Sequence, residues 1–374
     1  MQIFVIHPRV DGCLKLWQHL PKPQLKFRKG LSVQTLYNID EQKLARYLEE
    51  HVLGFKGPLS AKKFDGGQSN PTFLIEAKSG CYVMRCKPPG ELLKSAHAVD
   101  REYRVITALQ DTDVPVPKTY HLCSDDSVIG SWFYLMEFVD GRIFWNPRLP
   151  DSNNVERTAI YEDMSKVLAA IHQVEIKAAG LSDYGKQGNY FERQLSLWDR
   201  QYKASETETI VEMENLAIWL NANQPEDDGR SGLIHGDYRI DNMVFHPTEP
   251  RVIAVLDWEL STLGHPYADI AYQCMAFQLP KDRQLLSGLT GVDRQQQGIP
   301  SDEEYLASYC QKMGLEKIDH WNFYLAFSFY RLAAIVQGIK KRALDGNASN
   351  ERAKQVSALV KPLAQSALEA INNA

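Results

Sequence analysis

Residues 233–259 read LIHGDYRIDNMVFHPTEPRVIAVLDWE. Two apolar runs, MVFH and RVIAVL, meet at the turn signal HPTEP, which predicts a β-hairpin. Asp237 and Asn242 lie five residues apart ahead of the first run, near enough to share one loop. Asp257 stands just past the second run, where the hairpin returns the chain to the edge that carries Asn242. The spacing therefore predicts one compact cluster of Asp237, Asn242 and Asp257. A plainer reading has Asp237 making a turn, Asn242 capping it and Asp257 ending a strand. At average residue usage, however, H-G-D-x4-N should arise by chance in on the order of one in a thousand chains of this length. An Asp at the proper distance beyond the next strand makes the coincidence rarer.

The chain on either side has two textures. Residues 1–35 mix Pro, Lys and aromatics without a clear period and read as an extension. Asp40 predicts the N-cap of a helix that runs to about Leu53 and stops at Gly54. From Leu59 to Phe138 the pattern is strand-like. KKFDGGQSNPTFLIEA (62–77) reads as strand, Gly-rich turn and strand, and CYVMRCK (81–87) as a third strand closed by Pro88-Pro89-Gly90. KTYHLCS (118–124) and SWFYLMEFV (131–139) supply two more. Within AHAVDREYRVITALQ (96–110), Val99, Tyr103, Ile106 and Leu109 recur at helical spacing, so one amphipathic helix falls between the third and fourth strands. After Gly141, helices are predicted at 154–175, 190–222, 266–278, 301–313, 319–343 and 350–372, with Ser301 and Glu304 forming a capping box. The pattern is that of an α+β chain with two lobes. Residues 1–55 are an N-terminal extension and helix, 56–138 a small antiparallel β-sheet lobe with one helix, and 139–374 a large, mostly helical lobe that holds the β island.

Composition narrows the partners. The 374 residues are 44% hydrophobic and 24% charged, as in an ordinary globular protein. A net charge of −5 gives no bulk attraction for nucleic acid. No run reaches the ~18 apolar residues of a membrane-spanning helix, and the start, MQIFVIHPRVDGCLKLWQHL, lacks the long apolar region of a secretion signal. Cys13, Cys81, Cys86, Cys123, Cys274 and Cys310 form no CxxC pair and predict thiols in a reducing cytoplasm rather than a zinc site or disulfide framework. A cytoplasmic protein without nucleic-acid or membrane partners is the expectation, with the oligomeric state left open.

The Asp237 cluster suits phosphoryl transfer to an alcohol. That chemistry asks for a carboxylate near the attacking hydroxyl, oxygen ligands for Mg²⁺, and cationic or backbone donors on the phosphates. Asp237 is the candidate catalytic base. Asn242 and Asp257 are the candidate metal ligands, because Mg²⁺ prefers hard oxygens and keeps several waters. LIHGDYRIDNMVF, followed by VIAVLDWELSTLGHPYADIA, resembles the core of the aminoglycoside phosphotransferase and choline kinase superfamily, with its HGDxxxxN, apolar strand and D-[FW]-E segment. YVMRCKPPG, AHAVDREYRVITAL and FYRLAAIVQGIKKR are similar to the kinase-like domain that accompanies some acyl-CoA dehydrogenases. The resemblance covers about residues 56–345. It implies a protein-kinase-like two-lobed fold, ATP or GTP with Mg²⁺, and a small-molecule hydroxyl as acceptor.

The same resemblance assigns further roles. It lays Gly66-Gly67-Gln68-Ser69-Asn70 over the nucleotide phosphates, although any hairpin can use such a turn. It puts Arg85 where the superfamily usually has Lys. Lys87, two residues on, shares a strand face with it, so either can be the phosphate anchor. Glu102 is the implied partner of that cation, a solvated helix face being the alternative. Met136-Glu137-Phe138-Val139 falls where backbone would bond the adenine. His235 is implied to brace the loop. Asp269 reads as its anchor, and Arg239 as either a phosphate contact or a solvated loop residue. His172 and His265 read as structural. The stripe Trp321, Tyr324, Phe327, Phe329 and Arg331 reads as core, part of which could wall the acceptor pocket.

From Asp319 onward seven Lys and Arg stand against four acids, which suits a polycationic acceptor poorly. Lys340-Lys341-Arg342 either complements a helix dipole or meets an anionic handle. Composition therefore tilts the expected acceptor away from aminoglycosides, with amino alcohols the alternative, and the resemblance to the dehydrogenase-associated domain implies a hydroxyacyl group carried as a CoA thioester. Two other classes compete. A pseudokinase is favoured only by Arg85 in place of Lys. A protein kinase is disfavoured by Asp257-Trp258-Glu259 in place of D-F-G and by the short span from Asp257 to Asp269.

Overall fold

The computed structural model describes residues 39–64, 70–88, 99–281, 287–345 and 358–372. Two compact units divide the chain. One comprises the chain up to Tyr103 together with Thr119–Phe138; the other comprises Arg104–Lys118 and the chain from Val139 onward.

The first unit opens with α1 (Glu41–His51). Its N-cap is Asp40, whose carboxylate accepts the Gln42 and Lys43 N–H groups at 3.1 and 3.0 Å. A cap of this kind contributes about 1 kcal/mol. Strands β1 (Leu59–Lys63), β2 (Thr72–Ala77) and β3 (Gly80–Cys86) follow, then the start of helix α2 (Val99–Leu109), which the second unit takes over from Arg104, then β4 (Thr119–Cys123) and β5 (Phe133–Glu137). The five strands form one antiparallel sheet in the order β1-β2-β3-β5-β4. Alternation along β3 sends Tyr82, Met84 and Cys86 into the core and Arg85 to the opposite face. Leu44 and Leu48 of α1 bury with Phe73, Ile75, Met84, Phe133 and Leu135 in a single core. Each such side chain contributes about 1.5–3 kcal/mol of burial.

The second unit is mostly helical. Helices α3 (Asn154–His172), α4 (Tyr190–Ser205) and α5 (Val211–Ala222) precede the short strands β6 (Gly232–Ile234), β7 (Met243–Phe245), β8 (Val252–Val255) and β9 (Thr262–Gly264). Helices α6 (Tyr267–Phe277), α7 (Asp302–Met313), α8 (Trp321–Leu344) and α9 (Val360–Asn372) follow. α8 is the central helix, packed by α4, α5, α6 and α9. Ser301 and Glu304 make the expected capping box at the start of α7. The helix expected over 190–222 is instead two helices. Ser205 turns its hydroxyl back onto the Gln201 carbonyl at 2.8 Å, and the β-branched, acid-rich run that follows, Glu206 to Ile210, is a poor helix interior. β7 and β8 form the expected hairpin, whereas the pairing of β6 with β9 goes beyond the sequence reading. Of the predicted helix 350–372, the part before 358 lies outside the described residues. No described helix is long and apolar enough to cross a membrane.

Candidate active site

β6 delivers the chain into a sharp turn at His235-Gly236-Asp237. Gly236 has φ +84°, and a Cβ there would lie 2.6 Å from the Leu260 carbonyl oxygen, so glycine is required on both counts. Fully buried Asp269, in the first turn of α6, holds this bend. Its two carboxylate oxygens accept the His235 and Gly236 N–H groups at 2.6 and 2.8 Å. Burial pushes the Asp269 carboxyl up, but the His172 hydrogen bond and charge, followed by His235, outweigh it and hold the carboxyl below its ordinary value. His172 lies 3.4 Å from Asp269 through Nε2 and 2.7 Å from the Tyr309 hydroxyl through Nδ1, which makes it structural. His265 bonds Asp228 at 3.1 Å and is structural as well.

Both nitrogens of His235 are engaged. Nδ1 accepts the Asp237 N–H at 3.2 Å, and Nε2 lies 2.9 Å from the Leu256 carbonyl, which can only accept. The ring proton therefore sits on Nε2. His235 braces the loop and has no lone pair left for a substrate proton.

Asp237 itself is half-buried. The Asn242 amide nitrogen donates to its carbonyl at 2.9 Å and to its carboxylate at 3.0 Å. With the nitrogen so used, the Asn242 amide oxygen is the atom left for a cation. The Asn242 carbonyl accepts the Leu256 N–H at 2.8 Å, which sets Asp257 beside Asn242 at the mouth of the β7–β8 hairpin. Asp257 is held in a left-handed conformation, φ 66° and ψ 56°, a strained state for a non-glycine residue. One amide oxygen and one carboxylate, with water completing the shell, fit Mg²⁺. Among the described residues no group of three His, Cys, Asp or Glu side chains could hold a metal.

Two side chains that the sequence reading had not tied to Asp237 also converge there. Burial first, then the charge of the nearby Asp237 carboxylate, pushes the Tyr272 phenol pKa up. Its signal was available: Tyr272 stands three residues after Asp269, on the same face of α6. Arg331 donates from Nη2 to the Gly236 carbonyl at 2.7 Å. A cation inside the aromatic stripe of α8 was its only signature. Most of the stripe is core: Tyr324 and Phe327 pack around Phe191 and Phe329 is fully buried, whereas Trp321 is only half-buried. Arg239 forms a two-point pair with Asp241. Burial disfavours its charge, but Asp241 and then Asp237 and Tyr272 outweigh that and raise its pKa. Lys340 pairs with Glu208 and Lys341 with Asp345, so both are neutralised by acids of the chain.

In the sheet unit, Arg85 Nε lies 3.0 Å from Glu102, with side chains 12% and 1% exposed. Glu102 is thus not on a solvated face, and Arg85 is a cation that pairs with it. The Lys87 ammonium lies 5.8 Å from the centre of the Trp132 ring. Glu137 ends β5 with its side chain exposed, and Val139 is half-buried. Gly66 and Gly67 lie outside the described residues.

A model of the phosphotransferase enzyme family matches residues 60–305. Acyl-CoA dehydrogenase family member 10 of Mus musculus is 47% identical over 329 residues, covering 87% of this chain and 31% of the relative. Probable acyl-CoA dehydrogenase IBR3 of Arabidopsis thaliana is 45% identical over 355 residues, covering 90% and 43%. The chain therefore spans less than half the length of these relatives. A crystal structure from Ralstonia eutropha, provisionally assigned as an aminoglycoside phosphotransferase, is 49% identical with a TM-score of 0.82, covering 89% of this chain and 98% of that one. Two structures at 13% identity share the fold. One is a mutant of aminoglycoside phosphotransferase APH(4)-Ia in ternary complex with ADP and hygromycin B, TM-score 0.58, covering 88% and 98%. The other is choline kinase from Cryptosporidium parvum, TM-score 0.60, covering 89% and 97%.

Proposed function

This chain belongs to the phosphotransferase enzyme family, and from that premise we propose that it moves the γ-phosphoryl group of ATP onto the hydroxyl of a hydroxyacyl group carried as a CoA thioester. One observation carries the phosphotransfer reading. Asp237 stands on a loop fixed by Asp269 and His235, with Asn242 bonded to its carboxylate and Asp257 set beside Asn242. A carboxylate held in that way is pre-oriented to accept a proton. The acceptor oxygen attacks the γ-phosphorus, its proton passes to Asp237, and the bond from phosphorus to the ADP oxygen breaks. Mg²⁺, when bound through Asn242 and Asp257, supplies positive charge to the phosphate oxygens. ATP is favoured by the ADP in the related ternary complex. The acceptor rests on the names of the curated relatives and on the excess of Lys and Arg over acids in the sequence from Asp319 onward.

An ADP-formation screen over hydroxyacyl-CoAs, amino alcohols, sugars and aminoglycosides tests this reading. Turnover is expected with the hydroxyacyl thioesters; turnover of aminoglycosides alone would overturn the acceptor.

Of the two candidate phosphate anchors, Arg85 is favoured, because buried Glu102 holds its guanidinium in place. Arg85→Lys is expected to raise the KM for MgATP about 10-fold or more, the worth of a charge-assisted hydrogen bond. Lys87→Ala should leave it within about threefold. Steady-state titration of MgATP with both variants distinguishes the two.

A further inference from the structure

Arg331 is a buried cation without a counter-ion. It is 8% exposed, and among the described residues it makes no ion pair. Burying a charge costs several kcal/mol unless it is paired or well hydrogen-bonded. Here the guanidinium is carried by ring faces, 5.7 Å from the centre of Trp198 and 5.2 Å from that of Tyr272. Of its five N–H groups, one on Nη2 donates to the Gly236 carbonyl, and Nε and Nη1 bond nothing among the described residues. Tyr272, whose ring supports the cation, also lies within the field of the Asp237 carboxylate. A cation with unused planar donors therefore sits in the cluster that holds the proposed base.

We propose that Arg331 is a specificity-determining residue that binds the carbonyl or carboxylate oxygen of the acyl group whose hydroxyl is phosphorylated. The inference rests on the phosphotransfer reading above and names the chemistry that its acceptor must carry. Bracing Gly236 needs only one neutral donor, which a glutamine could supply without desolvating a charge. A guanidinium adds a rigid fork matched to acyl oxygens. It also repels ammonium groups, so amino alcohols and aminoglycosides are selected against by like charge. Trp198 and Tyr272 fix the plane of the fork and are positioning residues for it.

The test uses the full chain with Arg331→Gln and Arg331→Lys, assayed with hydroxyacyl-CoAs, the corresponding free hydroxy acids and amino alcohols at saturating MgATP. Arg331→Gln is expected to raise the KM for acyl acceptors about 10- to 100-fold, with the KM for MgATP within about twofold. Arg331→Lys keeps the charge and a donor for Gly236 but loses the planar fork, so it should keep kcat near wild type and still raise the acceptor KM. Loss of kcat with an unchanged acceptor KM would make Arg331 a loop brace and overturn the proposal. So would an equal loss on acyl and non-acyl alcohols. If wild type phosphorylates none of the panel, calorimetric binding of a hydroxyacyl-CoA in the presence of a non-hydrolysable ATP analogue gives the same comparison. Binding that weakens in Arg331→Gln then sustains the proposal while the phosphotransfer reading fails. No binding, or binding equal in both proteins, overturns the proposal.

Discussion

Asn at position 237 is expected to lower turnover about a hundred- to ten-thousand-fold, the range supplied by a positioned general base, or about 3–5 kcal/mol of barrier. Nucleotide binding should survive. The contacts that shape the loop at residue 237 are main-chain: its N–H goes to His235 and its carbonyl accepts from Asn242. Neither is altered by an isosteric amide, and an amide oxygen still accepts from Asn242. Unfolding free energy should therefore stay within about 1 kcal/mol of wild type. Paired measurements of MgATP affinity and of transfer with the best acceptor read the effect. Wild-type turnover in Asp237→Asn would remove the residue from its assigned role. Loss of nucleotide affinity together with turnover would mean that the carboxylate shapes the loop rather than takes the proton.

The parts of this site that were legible in the sequence are those encoded locally. His235, Gly236, Asp237 and Asn242 fall within eight residues, and residue type and spacing alone suggest their chemistry. Helix starts at Asp40 and Ser301 were legible for the same reason, since a cap and its partners lie within three residues. Three-residue strands such as β6 and β9 are too short to show a period, so their pairing was not. The Glu206–Ile210 break was missed because apolar positions recur on both sides of it in helical register. Arg331 meets Gly236 across 95 residues of chain, a contact that only the packing of α8 specifies. The Arg85–Glu102 pair lies between: the resemblance implied a partner for Glu102, but the choice between Arg85 and Lys87 needed the geometry.

The second large effect concerns stability. Asp269→Ala is expected to cost about 3–5 kcal/mol, because it strands two backbone N–H groups and removes the partner of His172 within the core. That is a large share of the 5–15 kcal/mol typical of a folded domain, and urea denaturation measures it. Asp269→Asn should fall between Ala and wild type. Its amide presents one acceptor where two donors arrive, so one of the His235 and Gly236 N–H groups must face an NH₂. The pH dependence follows from the depressed carboxyl of Asp269. A carboxyl lower in the folded than in the unfolded chain means that the unfolded state binds more protons as acid is added. Its stabilisation is fully present above the ordinary carboxyl value of 3.8 and is lost as pH falls through the lower folded value. Wild type should therefore lose stability below about pH 4 more steeply than Asp269→Asn, whose side chain does not titrate there. Parallel denaturation curves for the two proteins down to about pH 3 would mean that Asp269 is not held as a carboxylate. The charge that fixes the His235-Gly236-Asp237 turn would then have to come from elsewhere.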